Sequence, residues 1–310
     1  MTTFNPPLLQ ERRSTVRERS GVGSPKCILK WRQKQLLVLK SQQPHPSHLP
    51  PLTNERWLID CLSHSPIRLV RVDPGLGESG LRFWANACER SHKTLYLRLP
   101  TASRLPHSRI SFGWVCKRLL DLSLASLMLV LLSPVLLTIA ILVKTYMPGP
   151  ILFRQWRVGQ RGKLFRVLKF RTMSINAEQI HHQVMVGQAH TDLHKREDDP
   201  RITPLGKWLR KYSLDELPQL INVLLGEMSL VGPRPWALYD AVRIRPEVLE
   251  RLNALPGITG AWQVQARSHL LDIDKVNDLD LEYLRNWSLK GDLKILLRTV
   301  PKVLSGFGAY

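Results

Sequence analysis

The chain has 310 residues, of which 44% are hydrophobic, so it can fold into one large or two modest domains and does not have the composition of a disordered protein. Its 45 Lys and Arg against 25 Asp and Glu give a formal net charge of +20, which indicates an anionic partner such as nucleic acid, a membrane surface or a phosphorylated substrate. The four Cys are widely spaced, which argues against a disulfide framework or a zinc ribbon.

The N-terminal third is predicted to be a basic tail followed by a small α/β domain. Residues 1–26 are rich in Arg, Pro, Gly and Ser and lack an apolar stretch, so we expect a flexible tail without a secretory signal. Apolar patterning predicts strands at 35–40, 67–73 and 94–99 and helices at 54–64 and 78–92. We therefore expect a domain of unknown role over 27–100 and a linker over 101–111. Since this domain has no evident phosphate or metal chemistry, it is predicted to be dispensable for catalysis.

An uncharged apolar run occupies residues 122–143 and is interrupted by Ser133 and Pro134. As a helix it could reach across the roughly 30 Å hydrocarbon layer of a bilayer, but proline removes a backbone hydrogen bond and bends a helix. Both flanks are strongly basic, and basic flanks prefer the cytoplasmic side. A re-entrant helix over about 117–144, broken at Ser133 and Pro134, satisfies both constraints and is our prediction. A true span and a buried core helix are the alternatives.

The remainder of the chain, from residue 148, is predicted to be a basic α/β segment. Patterning predicts strands at 151–155 and 164–170, helical turns over 203–225, and amphipathic helices at 278–287 and 293–304. The polar stretch between 174 and 200 is predicted to be a solvated helix and loop. It holds four histidines, for which we favour a surface position over a metal site because no further ligand motif accompanies them. They are His181, His182, His190 and His194.

Two adjacent carboxylates, Asp215 and Glu216, stand at a predicted helix start. Ser213 and Glu216 have the spacing of a capping box, which predicts that the helix begins at Ser213. An acidic first turn is also ordinary helix design, because backbone N–H groups there favour negative charge. The helix would carry one apolar face, directed into a core or onto a membrane. That face consists of Leu217, Leu220, Ile221, Leu224 and Leu225.

Four basic residues are candidates to converge on this helix start. A helix N-terminus flanked by guanidinium groups binds phosphate well. A carboxylate inside such a site could attack phosphorus or bind the Mg²⁺ that accompanies a diphosphate, and Asp215 and Glu216 could divide these roles. The four candidates are Lys169, Arg171, Arg210 and Arg234.

Several short motifs follow one another from the apolar run towards the C-terminus. They are Lys117, Arg118 and Asp121, then Ser133 with Pro134, QWRVGQRG at 155–162, KFRTM at 169–173, DPRITPLG at 199–206, SLDELPQL at 213–220, GPRP at 232–235 and PGITG at 256–260. Each motif is weak by itself, but the ordered set is very specific. Over residues 112–310 the chain resembles the bacterial sugar transferase family, the monotopic polyprenyl-phosphate phosphoglycosyl transferases.

This resemblance implies a monotopic α/β catalytic domain with a re-entrant helix, on the cytoplasmic face of the bacterial inner membrane. It implies transfer of a sugar-1-phosphate from a UDP-sugar to polyprenyl (undecaprenyl) phosphate with release of UMP, the initiating step of an exopolysaccharide or other surface glycan. Asp215 matches the family nucleophile, which would form a covalent aspartyl-phosphosugar. Glu216 matches the neighbouring acid associated with the Mg²⁺ cofactor.

The resemblance also extends to basic positions and to partners. Lys169, Arg210 and Arg234 match positions that support phosphate binding, whereas Arg157 and Arg267 are either structural or face the nucleotide. We expect a UDP-sugar, polyprenyl phosphate and membrane lipids as partners and no nucleic acid, and leave homo-oligomer formation open.

Two other classes of function are considered. A catalytically inactive membrane scaffold of a polysaccharide assembly system would keep the membrane helix and bind a partner through the N-terminal domain. The intact pair of Asp215 and Glu216 argues against it. A nucleic-acid-binding protein would fit the net charge of +20 but not the apolar run.

Overall fold

The computed structural model describes residues 27–41, 54–99, 112–175, 177, 199–243, 245–265 and 272–306. The expected tail over 1–26, the linker over 101–111, the four histidines and Arg267 lie outside these residues.

The described part of the chain is a mixed α/β structure, as predicted. Its first segment contains β1 (Cys27–Arg32), β2 (Gln35–Lys40), α1 (Glu55–His64), β3 (Leu69–Val72), α2 (Gly77–Arg90) and β4 (Thr94–Leu97). Its second segment contains α3 (Phe112–Leu131), α4 (Ser133–Tyr146), β5 (Leu152–Val158), β6 (Leu164–Phe170), α5 (Pro204–Lys211), α6 (Gln219–Leu224), β7 (Ser229–Val231), β8 (Trp236–Ala237), α7 (Leu238–Ala241), β9 (Gly257–Thr259), α8 (Ala261–Gln265), α9 (Ile273–Arg285) and α10 (Leu289–Ser305).

The N-terminal segment is a four-stranded sheet in the order β1-β2-β3-β4. β1 and β2 form an antiparallel hairpin, while β2, β3 and β4 are parallel. Parallel neighbours require a crossover connection, which α1 and α2 provide. The predicted strands and helices of this segment are confirmed to within a few residues. β1 was not predicted, because it is an edge strand with only its first residue buried and therefore lacks a marked apolar alternation.

The second segment contains a three-stranded antiparallel sheet, β6-β5-β8, and a parallel pair, β7 and β9. The side chains of β6 enter all three principal cores of the molecule. Leu164 joins the core of the N-terminal sheet, Phe165 and Val167 pack near α3 and α6, and Phe170 packs against α4 and α5. β6 therefore ends, at Lys169 and Phe170, between the bent helices and α5.

One hydrophobic core joins the N-terminal sheet to the second segment. Trp84 of α2, which is fully buried, belongs to the same cluster as Trp236 of β8. Polar contacts reinforce this joint: Trp156 Nε1 donates to Asn86 Oδ1 at 2.9 Å, and Arg166 forms a 2.6 Å ion pair with Glu89. The two segments therefore share a core across the predicted linker.

Helices α3 and α4 meet at an angle of 63° around Leu132, which confirms the predicted break. Pro134 has no N–H to donate to the carbonyl of Val130, and the hydroxyl of Ser133 donates to that carbonyl instead, at 2.8 Å. No single helix of the described residues is both long and apolar enough to cross a bilayer, but α3 and α4 together meet the length and composition criteria.

The first turns of α3 are tied to the second segment by buried polar contacts. Lys117 Nζ forms a 2.6 Å ion pair with Asp292 of α10 and donates to Val231 O at 2.9 Å. Asp121 accepts from the backbone N–H of Leu230 at 3.0 Å and from Ser229 Oγ at 2.7 Å. The basic and acidic motif residues before the apolar run therefore serve as anchors for α3.

Candidate active site

A cavity of about 1880 Å³ opens beside the end of β6. Sites for one small molecule usually measure about 300–1,000 Å³, so this volume can hold more than one substrate. Its wall carries Asp215, Glu216, Lys169 and Arg210. Another part of the wall is apolar and comes from α3, α4 and α10; it includes Leu124, Met128, Leu132, Val135, Leu296 and Val300. The cavity thus joins a charged region to the bent helix pair.

Asp215 and Glu216 lie in a short 3₁₀ turn, Leu214–Glu216, and not in the first turn of an α-helix. The predicted capping box is wrong, since Ser213 has a left-handed backbone (φ 53°) and makes no side-chain cap. Pro218 explains the difference: without an N–H it cannot donate to Leu214, so the turn stops and α6 begins afresh at Gln219. The turn leaves Asp215 buried, with 7% of its surface exposed.

The apolar face predicted for this helix is divided in the structure. Leu220 is buried together with Val223, which the prediction did not include, whereas Ile221, Leu224 and Leu225 are exposed. One side of α6 therefore packs on the core and the other presents apolar surface.

The electrostatics of Asp215 are set by burial and by three charged neighbours. Burial raises the pKa of Asp215 to about 6; Lys169 opposes the rise, Glu216 adds to it, and Arg210 opposes it. A carboxylate with this pKa is largely ionised at neutral pH but is costly to ionise, because water is excluded from it. Such a group is suited to attack an electrophile that displaces the remaining solvent.

Lys169 and Glu216 form a direct ion pair, with Lys169 Nζ 2.5 Å from Glu216 Oε1. Both side chains are about one-fifth to one-quarter exposed, so the pair borders the cavity and not the core. Lys169 reaches this position because β6 ends beside the turn that carries Glu216. The pair places a cation and a partly exposed carboxylate next to Asp215.

Arg210 is positioned by the close packing of α5 on the end of β6. Thr203 caps α5 by accepting from Gly206 N at 3.0 Å, and a Cβ on Gly206 would lie only 2.0 Å from Thr172 O. Glycine is therefore required at 206 for α5 to approach residue 172. As a result, Arg210 Nε donates to Thr172 Oγ1 at 2.9 Å. The Arg210 guanidinium also interacts electrostatically with Asp215, Asp199 and Glu216.

Arg234 also lies on the cavity wall, in a loop held by buried contacts. Its guanidinium lies over the ring of Trp262, 5.3 Å from the centroid, and its backbone N–H donates to Asp280 at 3.3 Å. Arg251 pairs with Asp280 and donates to Arg234 O at 2.9 Å. Gly232 permits this loop to touch the PGITG segment, because a Cβ there would lie 2.4 Å from Leu255 O.

Two further arginines predicted from sequence border the cavity but donate to other parts of the protein. Arg171 donates to the carbonyls of Pro148 and Met147, each at 2.6 Å, and so holds the chain that leaves α4. Arg157 donates to Pro235 O at 3.1 Å and to Gln155 Oε1 at 2.6 Å. For Arg157 these contacts favour the structural alternative. For Arg171 they favour a positioning role over the expected phosphate contact.

The cavity wall includes polar residues that were assigned no role from the sequence. Asp199 and Arg201 form a buried two-point ion pair, with oxygen–nitrogen distances of 2.8 and 2.6 Å. Burial alone would raise the pKa of Asp199, but the hydrogen bonds and charge of Arg201 bring it below its ordinary value. Tyr239 lies near Arg157 and Arg234 on the same wall. The DPRITPLG motif was a signal for the first pair, whereas no motif indicated Tyr239.

The donor set is compatible with a metal that shares its ligands with a substrate. Among the described residues, no group of three or more His, Cys, Asp or Glu side chains could hold a metal ion by itself. Mg²⁺ commonly binds through one or two carboxylates together with substrate phosphates. Asp215 and Glu216 fit that pattern, and Glu216 is the more accessible of the two.

Comparison with known proteins gives a family match over most of this structure. The family model described as bacterial sugar transferase matches residues 112–306. The chain is 48% identical over 162 residues to the galactosyl transferase CpsE of Streptococcus agalactiae, covering 52% of the chain and 36% of that protein. It is 45% identical to the UDP-glucose:undecaprenyl-phosphate glucose-1-phosphate transferase of Caulobacter vibrioides, covering 63% of the chain and 72% of that protein.

A third relative has a length nearer to the matched segment. The chain is 39% identical to the exopolysaccharide production protein ExoY of Sinorhizobium fredii over 64% of the chain and 89% of that protein. The coverage therefore varies widely: the chain spans little more than a third of the streptococcal protein but nearly all of the rhizobial one.

Proposed function

The chain belongs to the bacterial sugar transferase family, and on this basis we propose that it transfers a sugar-1-phosphate from a UDP-sugar to polyprenyl phosphate, releasing UMP. The observation that carries this proposal is the buried Asp215, held between Lys169 and Arg210 on a cavity that continues to the bent helix pair. The names of relatives support the substrate classes, since one is a UDP-glucose:undecaprenyl-phosphate glucose-1-phosphate transferase and another an exopolysaccharide production protein.

In the first step, a carboxylate oxygen of Asp215 attacks the β-phosphorus of the UDP-sugar. The bond between that phosphorus and the bridging oxygen breaks, and the electron pair leaves with UMP. Lys169, Arg210 and Arg234 are proposed to bind the diphosphate and to stabilise the charge that develops on it. Burial supports this role for Asp215, because a poorly hydrated carboxylate is a better nucleophile than one in water.

In the second step, a phosphate oxygen of the lipid attacks the phosphorus of the aspartyl-phosphosugar. The bond to Asp215 breaks, the carboxylate is regenerated, and a polyprenyl diphospho-sugar is formed. The apolar wall made by α3, α4 and α10 is proposed to hold the first isoprene units of the lipid. The cavity volume supports this arrangement, because the cavity is large enough for both the UDP-sugar donor and the head of the lipid acceptor.

Glu216, with Asp215 beside it, is proposed to hold Mg²⁺ together with the substrate diphosphate. The ion would supply Lewis-acid stabilisation of negative charge on the phosphates. In the described structure Glu216 instead pairs with Lys169, so binding would require this ion pair to rearrange.

We further propose that the enzyme sits on the cytoplasmic face of the inner membrane, with α3 and α4 as a re-entrant hairpin. The support is the 63° bend together with apolar side chains that the fold leaves exposed. Exposed apolar surface of this extent is unusual on a soluble monomer and suits contact with lipid. These side chains are Leu127, Val130, Leu131, Leu137 and Ile141 on the hairpin and Leu293, Leu297, Val300 and Leu304 on α10.

Mass spectrometry of the intact protein tests the proposed chemistry. Incubation with a UDP-sugar in the absence of lipid should add the mass of one phosphosugar, mapped to Asp215, and release about one equivalent of UMP. Adding polyprenyl phosphate should remove the adduct. Asp215→Asn preserves shape and removes the nucleophile, so it should form no adduct, while Asp278→Asn on α9 serves as a matched control that should react normally. An adduct elsewhere, or an inactive wild-type protein, would exclude the mechanism.

A further inference from the structure

Helix α2 of the N-terminal segment forms part of the cavity wall. Five of its residues border the cavity at intervals of one, three, one and three positions, which places them along one stripe of the helix. They are Glu78, Ser79, Arg82, Phe83 and Asn86. The opposite stripe of α2, with Leu81, Trp84 and Cys88, is buried against the N-terminal sheet. The helix therefore has one side in the core and the other towards the cavity.

The position of α2 is fixed by contacts with the second segment. Asn86 Oδ1 accepts from Trp156 Nε1 at 2.9 Å and from Arg166 at 3.2 Å. Trp156 and Arg166 are neighbours on β5 and β6, the strands that lead to the reactive residues. The part of the cavity wall that α2 contributes is therefore fixed relative to β5 and β6 by direct hydrogen bonds.

The charged residues of this stripe line the same cavity as the carboxylates Asp215 and Glu216. Burial and Asp240 raise the pKa of Tyr239, Arg157 and Arg234 oppose the rise, and Glu78 adds to it. The field of Glu216 in turn reaches Arg157. Glu78 is thus near enough to Tyr239 to affect it, and Tyr239 lines the cavity together with Arg157 and Arg234. Asp199 and Arg201, which act electrostatically on Arg210, line this cavity too.

The chemistry of Glu78 and Arg82 indicates which part of a substrate they would contact. Arg82 and Glu78 form a 2.6 Å ion pair, in which Glu78 retains 17% and Arg82 retains 37% side-chain exposure. A carboxylate accepts hydrogen bonds from hydroxyl groups and a guanidinium donates to their oxygens, so together they suit a hydroxyl-bearing ring. The isoprene chain of the lipid has no such groups and fits the apolar wall instead.

We propose that Glu78 and Arg82 contact a hydroxyl-bearing ring of the nucleotide-sugar donor, so that the N-terminal segment determines donor selection. This inference rests on the proposed function. It differs from the expectation that the N-terminal segment is dispensable, because α2 then contributes directly to the binding site.

Steady-state kinetics of the full-length protein in lipid nanodiscs test the proposal. Arg82→Gln should raise the KM for the donor roughly tenfold, the usual loss for one hydrogen bond to a charged group. It should leave kcat within about twofold and should not change the KM for polyprenyl phosphate. Arg90→Gln is the matched control: it removes the same charge from the same helix, but Arg90 pairs with Glu55 away from the cavity wall. Its kinetics should match the wild type.

Glu78→Gln identifies the ring. A change in the preference between UDP-glucose and UDP-galactose, which differ at one hydroxyl, would assign Glu78 to the transferred sugar. A change between UDP-glucose and ADP-glucose would assign it to the nucleoside side. If a folded Arg82→Gln protein keeps the wild-type donor KM and Glu78→Gln alters neither preference, the proposal is wrong.

Donor binding separates this outcome from a failure of the proposed function. If the wild type transfers no sugar-phosphate at all, the proposed function is wrong. The proposed donor contact of Glu78 and Arg82 is then tested by the rise in unfolding temperature that UDP-glucose produces. That rise should be smaller in Arg82→Gln than in Arg90→Gln. Equal rises, or no rise in the wild type, would overturn the assignment.

Discussion

At the scale of single residues, the proposed catalytic role of Asp215 comes with a cost in stability. Asp215 is buried, and the cations around it do not fully offset the cost of ionising it, because the pKa of Asp215 remains raised to about 6. Arg171 and Arg210 are both basic residues in recognisable motifs, but Arg171 donates to main-chain carbonyls, whereas Arg210 interacts electrostatically with Asp215, Asp199 and Glu216. The sequence identifies both arginines, but the close packing of Gly206 on Thr172, which positions Arg210, cannot be read from it.

The raised pKa predicts that Asp215→Asn stabilises the fold in a pH-dependent manner. The pKa is about 6 in the folded protein against a reference value of 3.8, so ionisation favours the unfolded state at every pH above 3.8. The penalty is about 3 kcal/mol at pH 8 and about 1 kcal/mol at pH 4.5. Unfolding of wild type and Asp215→Asn in the same detergent should therefore diverge as pH rises. This divergence should occur between about pH 4 and pH 7 and level off above it, and a difference that stays constant across that window would show that the pKa of Asp215 is not raised.

At the scale of elements, the break between α3 and α4 could be predicted from sequence and the start of α6 could not. Ser133 and Pro134 interrupt an otherwise uniform apolar run, so a single local rule decides the outcome. At Ser213 two local rules compete, a capping box before the turn and a proline after it, and Pro218 prevails. Patterns with one dominant signal are predictable, whereas competing signals are settled by the surrounding packing.

Replacement of both Ser133 and Pro134 by Leu should straighten the helix pair. The backbone N–H at position 134 then restores the hydrogen bond to Val130 O, which the hydroxyl of Ser133 now occupies. The resulting apolar helix is long enough to span a bilayer. Cysteine labelling in intact cells would detect the change: the exposed Cys61 of α1 should be unreactive from outside in the parent and reactive in the double variant. A Ser133→Ala variant, which keeps the proline, should behave as the parent.

At the scale of the whole molecule, the N-terminal segment and the second segment are packed against each other in the described residues. Trp84 and Trp236 share a core, and Arg166 pairs with Glu89 across the joint. The sequence indicated two α/β regions with different composition, and it could not indicate their contact, because each partner of the joint is an ordinary residue within its own element. Long-range packing of this kind leaves no periodic signal.

The shared core predicts the result of removing the N-terminal segment. Deletion of residues 1–108 would expose Val158, Leu164, Trp236 and Leu238, which are buried in the shared core. We expect the truncated protein to unfold at a markedly lower temperature and to aggregate in detergent, because apolar burial is the main source of stability. Deletion of residues 1–26 alone serves as the control and should have little effect. An unchanged unfolding temperature for the longer deletion would show that the joint contributes little, and would allow the expected catalytic dispensability to be tested directly.

The buried pair of Lys117 and Asp292 also constrains how the protein is made. Its two partners are 175 residues apart, so the ribosome releases the entire hairpin and most of the catalytic segment before Asp292 exists. Until then Lys117 is a charged group at the head of an apolar helix with no buried partner. The first turns of α3 can therefore reach their final packing only after translation has reached α10.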